Sequence, residues 1–361
     1  MLLTFRIKNF KSIVDTAIDM RIDGGAASCL GLYGANASGK SNILAALAIF
    51  RDIVANRAID ERYFPNKIQE GAYSSFELNF TIGKDNYIYR LSYNDLNIIE
   101  EGLICNGYRL LKTLASNERG YETDFWTIAN EAYPVEKLGS IFKVECQEGF
   151  FQRAPFLSVL GKNYANLNAQ VTAAFNYLVK HIIIYQYSAT NAINKLQDVS
   201  EIIKKLDISI NSMAVEHGNI YTYHTAADGR EVRFKFDEES LGTQIMTHML
   251  GAILVALETG SIVLIDELDM SLHPLLLKEI VRLFKDIDYN ANGAQLIFTA
   301  HNTNILEEGL IDAAELGIVT KIQQDGTTLA RAIDYDKIEN SEELQKAYLD
   351  GDFGGIPFPY I

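Results

Sequence analysis

Gly34-Ala35-Asn36-Ala37-Ser38-Gly39-Lys40-Ser41 is the stretch on which the reading of this chain turns. Its spacing is that of a phosphate-binding loop, in which backbone N–H groups wrap an anion and glycine lets the chain turn without a Cβ in the way. In that pattern Ala35, Asn36, Ala37 and Ser38 form the wrap between Gly34 and Gly39. Lys40 reaches the β- and γ-phosphates, and the Ser41 hydroxyl ligates Mg²⁺. The run before the loop, Cys29-Leu30-Gly31-Leu32-Tyr33, is continuously apolar, as a buried strand is. After Asn42, which is counted with the site, Ile43, Leu44, Leu47, Ala48 and Ile49 recur at helical spacing. A helix that turns its positive end toward such a loop completes an anion site, so the expected ligand is a nucleoside triphosphate, ATP, with Mg²⁺.

The other half of such a site belongs at the carboxyl edge of a parallel sheet. Ile262-Val263-Leu264-Ile265-Asp266-Glu267 fits, a buried strand ending in two carboxylates. Asp266 would support the Mg²⁺ held by Ser41, and Glu267 would polarise the attacking water. Around this run Thr247 to Leu257 reads as helix, Leu275 to Phe284 as helix and Gln295 to Thr299 as another buried strand. Apolar runs alternating with helices predict a parallel, helix-covered sheet.

Between the two parallel pieces the period falls to two. Phe76, Leu78, Phe80 and Ile82, a turn at Gly83 to Asn86, and Tyr87, Tyr89, Leu91 and Tyr93 predict a hairpin. Residues 96 to 145 read as further strands and loops, 156 to 180 as helical, and Ile182 to Tyr185 as a buried strand. A short amphipathic helix carries Ile193, Leu196, Val199, Ile202, Ile203 and Leu206 on one face, and a second hairpin spans Ile220 to Phe236. The expected architecture is α/β, a P-loop NTPase with a mainly parallel core sheet covered by helices. Residues 1–60 and 240–361 would supply that core, 61–185 an antiparallel β side lobe with a helical insertion, and 186–239 a small helical and hairpin lobe. All would form one composite domain over 1–361.

A net charge of −15 disfavours surface-wide attraction to nucleic acid or to anionic membranes, and leaves DNA binding only through a local basic groove. Lys204-Lys205, the nearest thing to a basic run, reads as a solvated helix face. Cys29, Cys105 and Cys146 lie far apart with no zinc or disulfide spacing, which suits a reducing cytoplasm. The longest apolar stretch, near Met249 to Leu257, is too short to span a bilayer, so no membrane partner is expected.

Asp266-Glu267-Leu268-Asp269-Met270-Ser271-Leu272-His273-Pro274, with Phe298-Thr299-Ala300-His301-Asn302 one helix and one strand later, resembles the head of ABC-class ATPases of the SMC/RecF/OLD branch. Ile7-Lys8-Asn9-Phe10-Lys11-Ser12 is similar to the first strand of that branch. Glu239-Ser240-Leu241-Gly242-Thr243-Gln244 stands where the class carries its signature motif, departing from the L-S-G-G-Q form but keeping a Ser and a Gly at a helix start. The E-S-x-G-T version and the closing Tyr348 to Pro357 resemble short bacterial AAA-type ATP-binding proteins, including RloA-like ATPase halves of phage-defence pairs.

The resemblance implies a fold of ABC-ATPase head type. It implies that Ser240 and Gly242 cap the γ-phosphate bound by a second subunit, so that two ATP molecules glue a head-to-tail homodimer or a higher homo-oligomer. Asp269 then resembles the residue that couples the two sites, His301 the switch histidine that bonds the γ-phosphate, and Gln186 a Q-loop ligand sensing Mg²⁺ and nucleotide. About fifty residues separate Gln186 from Ser240, which leaves no room for the long coiled coil of SMC proteins. Sixty residues follow His301, too few for the appended nuclease domain of OLD proteins. The expectation is an ATP hydrolase that switches a separately encoded effector such as a nuclease or toxin, in anti-phage defence. A RecF-like repair ATPase on duplex DNA is the alternative, distinguished by DNA-stimulated hydrolysis. A transporter's ATPase subunit ranks last, because its loop-to-signature spacing is roughly half that from Lys40 to Ser240.

Overall fold

The computed structural model describes residues 1–56, 64–67, 73–95, 97–116, 120–185, 195–206, 209–270, 272, 274–307, 309–322, 326–334 and 343–354. A hairpin of β1 (Leu2–Phe10) and β2 (Ile13–Asp19) opens the chain, and β3 (Cys29–Tyr33) leads through the phosphate loop into α1 (Lys40–Asn56). A meander follows: β4 (Ser74–Ile82), β5 (Asp85–Tyr93), β6 (Ile98–Cys105), β7 (Tyr108–Ser116) and β8 (Gly120–Asp124). Three helices, α2 (Val135–Cys146), α3 (Phe156–Asn163) and α4 (Ala169–Lys180), lead to β9 (Ile182–Ile184). Then come α5 (Leu196–Leu206), a separate three-stranded sheet of β10 (Ile210–Glu216), β11 (Asn219–Thr225) and β12 (Glu231–Lys235), and α6 (Leu241–Thr259). The chain continues as β13 (Ile262–Ile265), α7 (Pro274–Lys285), β14 (Gln295–Thr299), α8 (Asn304–Glu307), β15 (Leu316–Ile322), β16 (Gly326–Arg331) and α9 (Leu344–Asp350).

One 13-stranded sheet runs in the order β8-β7-β6-β5-β4-β1-β2-β16-β15-β3-β14-β13-β9. From β15 to β9 every pairing is parallel, with Leu30 opposite Ile297 and Ile297 opposite Leu264. From β15 outward through β16, β2 and β1 to β8 every pairing is antiparallel. The antiparallel strands of the side lobe continue the core sheet, because β2 pairs with β16 through Ile13 opposite Gly326, and β1 pairs with β2 on one side and β4 on the other. Strand β9, grouped by sequence with that lobe, belongs to the parallel part through Ile183 opposite Val263. Within the stretch read as strands and loops, α2 is helical and buries Leu138, Phe142 and Cys146 along one face.

The sheet separates two apolar cores. On one side α1, α3 and α4 pack, and Phe50 of α1 sits among Phe5, Phe76 and Tyr89 with ring centroids 5.6, 5.9 and 5.7 Å away. On the other side lie α6 and α7, with Met249, Leu250, Ile253, Leu277 and Ile280 buried. By length and composition α6 could cross a bilayer, with 19 residues and a mean hydropathy of 1.3. It is longer than the apolar stretch read from sequence, and it is a core helix, buried at Met246 to Ile253.

Glu101 of β6 ties the helical insertion to the sheet. Its carboxylate is fully buried and accepts hydrogen bonds from Phe156 N at 2.7 Å, Leu157 N at 2.9 Å, Tyr89 Oη at 2.9 Å and Gln152 Nε2 at 2.9 Å. Two of those donors are orphan N–H groups at the start of α3, where a carboxylate also suits the helix dipole. Burial pushes the Glu101 carboxyl pKa above its usual value, and the four donors pull it back without cancelling.

Candidate functional site

The phosphate loop leaves β3, whose five residues are all buried between β15 and β14. It needs its glycines for reasons inside this chain. A Cβ on Gly34 (φ 156°) would lie 2.1 Å from Val319 O of β15, and one on Gly39 (φ 109°) would lie 2.1 Å from Thr327 Oγ1 of β16. Ala37, with φ 61°, holds a left-handed conformation that costs about 1–2 kcal/mol for a residue with a Cβ. Thr327 Oγ1 donates to Ser38 O at 2.7 Å and lies 2.7 Å from Ser12 Oγ, which accepts from Asn42 Nδ2 at 2.8 Å. Since the Thr327 proton is used on Ser38 O, Ser12 is the donor to Thr327, and the chain of bonds runs one way from Asn42 to the loop.

Lys40 is buried at 7% exposure, with Nζ donating to Gly34 O at 2.8 Å and Ala35 O at 3.1 Å. Burial lowers its pKa, against the opposing pull of Asp266, Asp269 and Glu267. Ser38 Oγ is buried with no hydrogen-bond partner among the described residues, so the loop holds an unsatisfied hydroxyl that an anion's oxygen can satisfy.

At the end of β13 the two carboxylates are set by one threonine. Thr299 Oγ1 donates to Asp266 Oδ1 at 2.6 Å and accepts from Glu267 N at 2.7 Å, and Ser41 Oγ donates to the same Asp266 oxygen at 3.1 Å. A hydroxyl and a carboxylate meeting at the foot of a phosphate loop are the hard oxygen donors Mg²⁺ takes, so Ser41 and Asp266 fit as its protein ligands. Glu267 adopts φ 53° at the strand end.

A cavity of about 620 Å³ opens over these groups and is lined by Asn36, Ala37, Gly39, Lys40, Ser41 and Asn42. Glu267, Thr299 and His301 line it from the sheet edge, and Ser12 and Lys321 from the antiparallel side. Asp269 lies beneath His301, with Oδ2 accepting from His301 N at 2.8 Å and Asn302 N at 2.7 Å.

Ser240 and Gly242 are not among the cavity's lining residues. Ser240 is exposed and caps α6, accepting from Thr243 N at 3.1 Å. Gln186 lies outside the described residues. Thr299, Thr327, Ser12 and Lys321 are the site residues to which sequence reasoning assigned no role. A hydroxyl directly after the β14 apolar run was the available signal for Thr299; the other three follow no spacing tied to the loop.

A family model described as "AAA domain, putative AbiEii toxin, Type IV TA system" matches residues 29–134 and 159–307, which contain the loop, both carboxylates, Ser240 and His301. Among solved structures, the chain is similar to the SMC head domain from Thermotoga maritima, with 15% identity, a TM-score of 0.45, and coverage of 91% of this chain and 98% of that one. It is similar to an Smc head bound to the C-winged helix domain of ScpA, with 13% identity, a TM-score of 0.48, and coverage of 91% and 96%. A third is an Smc head domain with an extended coiled coil bound to the C-terminal domain of ScpA derived from Pyrococcus furiosus, with 12% identity, a TM-score of 0.47, and coverage of 97% and 98%. No curated protein matches the sequence. The family model spans well over half of the chain, and the chain belongs to this family of AAA-domain, P-loop NTPase proteins.

Proposed function

We propose that this chain binds ATP with Mg²⁺ in the loop cavity, hydrolyses it, and uses bound ATP to join two copies head to tail as a switch for a separately encoded effector. The observation that carries the reading is the meeting of Ser41 with Asp266 at 3.1 Å in a cavity that Lys40, Glu267 and His301 also line. Mg²⁺ there would neutralise phosphate charge and orient the β- and γ-phosphates. The loop amides and Lys40 hold the triphosphate, and Glu267 orients water toward the γ-phosphate. His301 is anchored through its backbone to Asp269, so the turn after β13 and the histidine move together. The exposed Ser240 cap, which does not line its own chain's cavity, suits a helix start that serves a partner's nucleotide.

The toxin and toxin–antitoxin wording of the family description supports a defence or toxin role, of the kind carried by RloA-like ATPases, acting in the cytoplasm through an effector such as a nuclease or toxin. The test is phosphate release at saturating Mg–ATP. Glu267→Gln keeps ATP binding and loses about a hundredfold or more in turnover, because the amide keeps shape and loses the charge that orients water. Lys40→Ala loses binding in a calorimetric titration. Turnover of Glu267→Gln within a few-fold of the parent removes Glu267 from the reaction.

A further inference from the structure

At the far edge of the large sheet, β8 pairs with β7 on one side, and among the described residues no strand pairs with its other side. Such an edge offers a row of N–H and C=O groups that another strand can take up. Beside it runs a groove of about 520 Å³, lined by Tyr121 and Thr123 of β8, Gly139, Phe142 and Lys143 of α2, and Phe150 of the next turn. Phe150, which lines it, is 58% exposed, and Trp126, just past the end of β8, is 74% exposed.

Gly139 is an independent sign. It lies inside α2, where glycine costs about 0.8–1 kcal/mol relative to alanine. A Cβ there would meet nothing within 4 Å, so this chain's own packing does not call for the glycine. Its missing side chain leaves room for a backbone to pass close over the helix. Charge then narrows the occupant. Tyr121 and Thr123 face the groove, so Glu122 between them faces the opposite side of the sheet. Two copies of this edge paired about Glu122 would set like charges opposite each other, which opposes self-pairing.

We infer that β8 and the groove along α2 form a docking site for an extended segment of a different protein, added to the sheet as a further strand. Apolar residues of that segment enter the groove over Gly139, beside Thr123 and Phe150 and against the packed pair of Tyr121 and Phe142, and alternate residues on the other face are Lys or Arg opposite Glu122. The site is independent of nucleotide switching, since it uses no residue of the loop cavity.

Trp126, the only tryptophan in the chain, stands two residues past the end of β8 and reports on the edge directly. The probe is an acetylated peptide alternating valine and lysine, about six residues long to match a strand. Titrated into the full chain, it gives a saturable blue shift of Trp126 emission and slows amide exchange in β8. A valine–glutamate counterpart binds about tenfold more weakly, and Glu122→Lys reverses that preference. Gly139→Phe, which fills the groove without a steric conflict at Cβ, abolishes binding while keeping the parental melting temperature and ATP hydrolysis. No blue shift with either peptide, equal affinity for both, or full binding by Gly139→Phe overturns the inference. So does a concentration-dependent dimer that Gly139→Phe disrupts, since that is the mark of self-pairing through this groove.

Discussion

Thr327 shows how much of the phosphate loop is set by residues that never enter its motif. Its hydroxyl supports Ser38 O, and its position explains why residue 39 must be glycine before any nucleotide is present. Lys321, near the end of β15, brings a second cation to the rim of the same cavity. Its side chain is exposed, so its pull on a bound triphosphate is modest and screened by salt. Lys321→Ala therefore weakens ATP binding about two- to fivefold at low salt with turnover at saturation unchanged, and the difference shrinks as salt rises. An affinity that is the same at every salt concentration would show that Lys321 stays out of the site. The loop, Asp266 and Glu267 were legible in the sequence because each lies in one contiguous run with its own strand. Thr327, Lys321 and Ser12 were not, because strand pairing carries them to the loop from positions hundreds of residues away or from the opposite strand edge, and nothing local marks them.

Among the elements, α3 depends on a single buried carboxyl. Glu101→Ala leaves Phe156 N and Leu157 N without their acceptor, at a cost of roughly 1–3 kcal/mol for each buried group left unpaired, read as a lowered melting temperature. The pH dependence has a definite sign. The native carboxyl has a raised pKa, so the native state holds the proton more tightly than the unfolded chain, whose value is near 4.5. The stability from this group is complete below that value and is lost as pH rises through the raised native one. Glu101→Gln, with no proton to lose, flattens the slope of melting temperature against pH in mildly acidic buffer. An unchanged slope would mean that Glu101 stays ionised throughout. At this scale the hairpins and the parallel strands were legible from their periods of two and their continuous apolar runs. The helix α2 was not, although Leu138, Phe142 and Cys146 fall four apart, because a central glycine and a short length weaken the helical signal. The continuity of the antiparallel strands with the core was equally hidden, since alternation tells a strand which face is buried but not which strand lies beside it.

For the molecule as a whole, the position of Ser240 outside its own cavity sets the sharpest test of assembly. If the proposed composite site holds, Ser240→Arg keeps ATP binding by the monomer and loses ATP-dependent dimerisation and turnover, because a guanidinium fills the space proposed for a partner's γ-phosphate. Mixing Ser240→Arg with Lys40→Ala restores one intact composite site in each mixed dimer, and part of the hydrolysis returns. Parental hydrolysis by Ser240→Arg as a monomer would make this a self-contained enzyme. The sheet order carries a further consequence, for synthesis. Strand β3 emerges early, yet its two neighbours, β14 and β15, are Gln295–Thr299 and Leu316–Ile322. At about 5–20 residues per second, the nascent β3 waits on the order of 10 to 60 s for them. During that interval an apolar strand has both edges free and the loop has neither Val319 nor Thr327 behind it. A chain whose translation stops before Leu316 is therefore mute toward ATP however intact its loop sequence is, and it is sticky, a liability that falls to chaperones rather than to the fold.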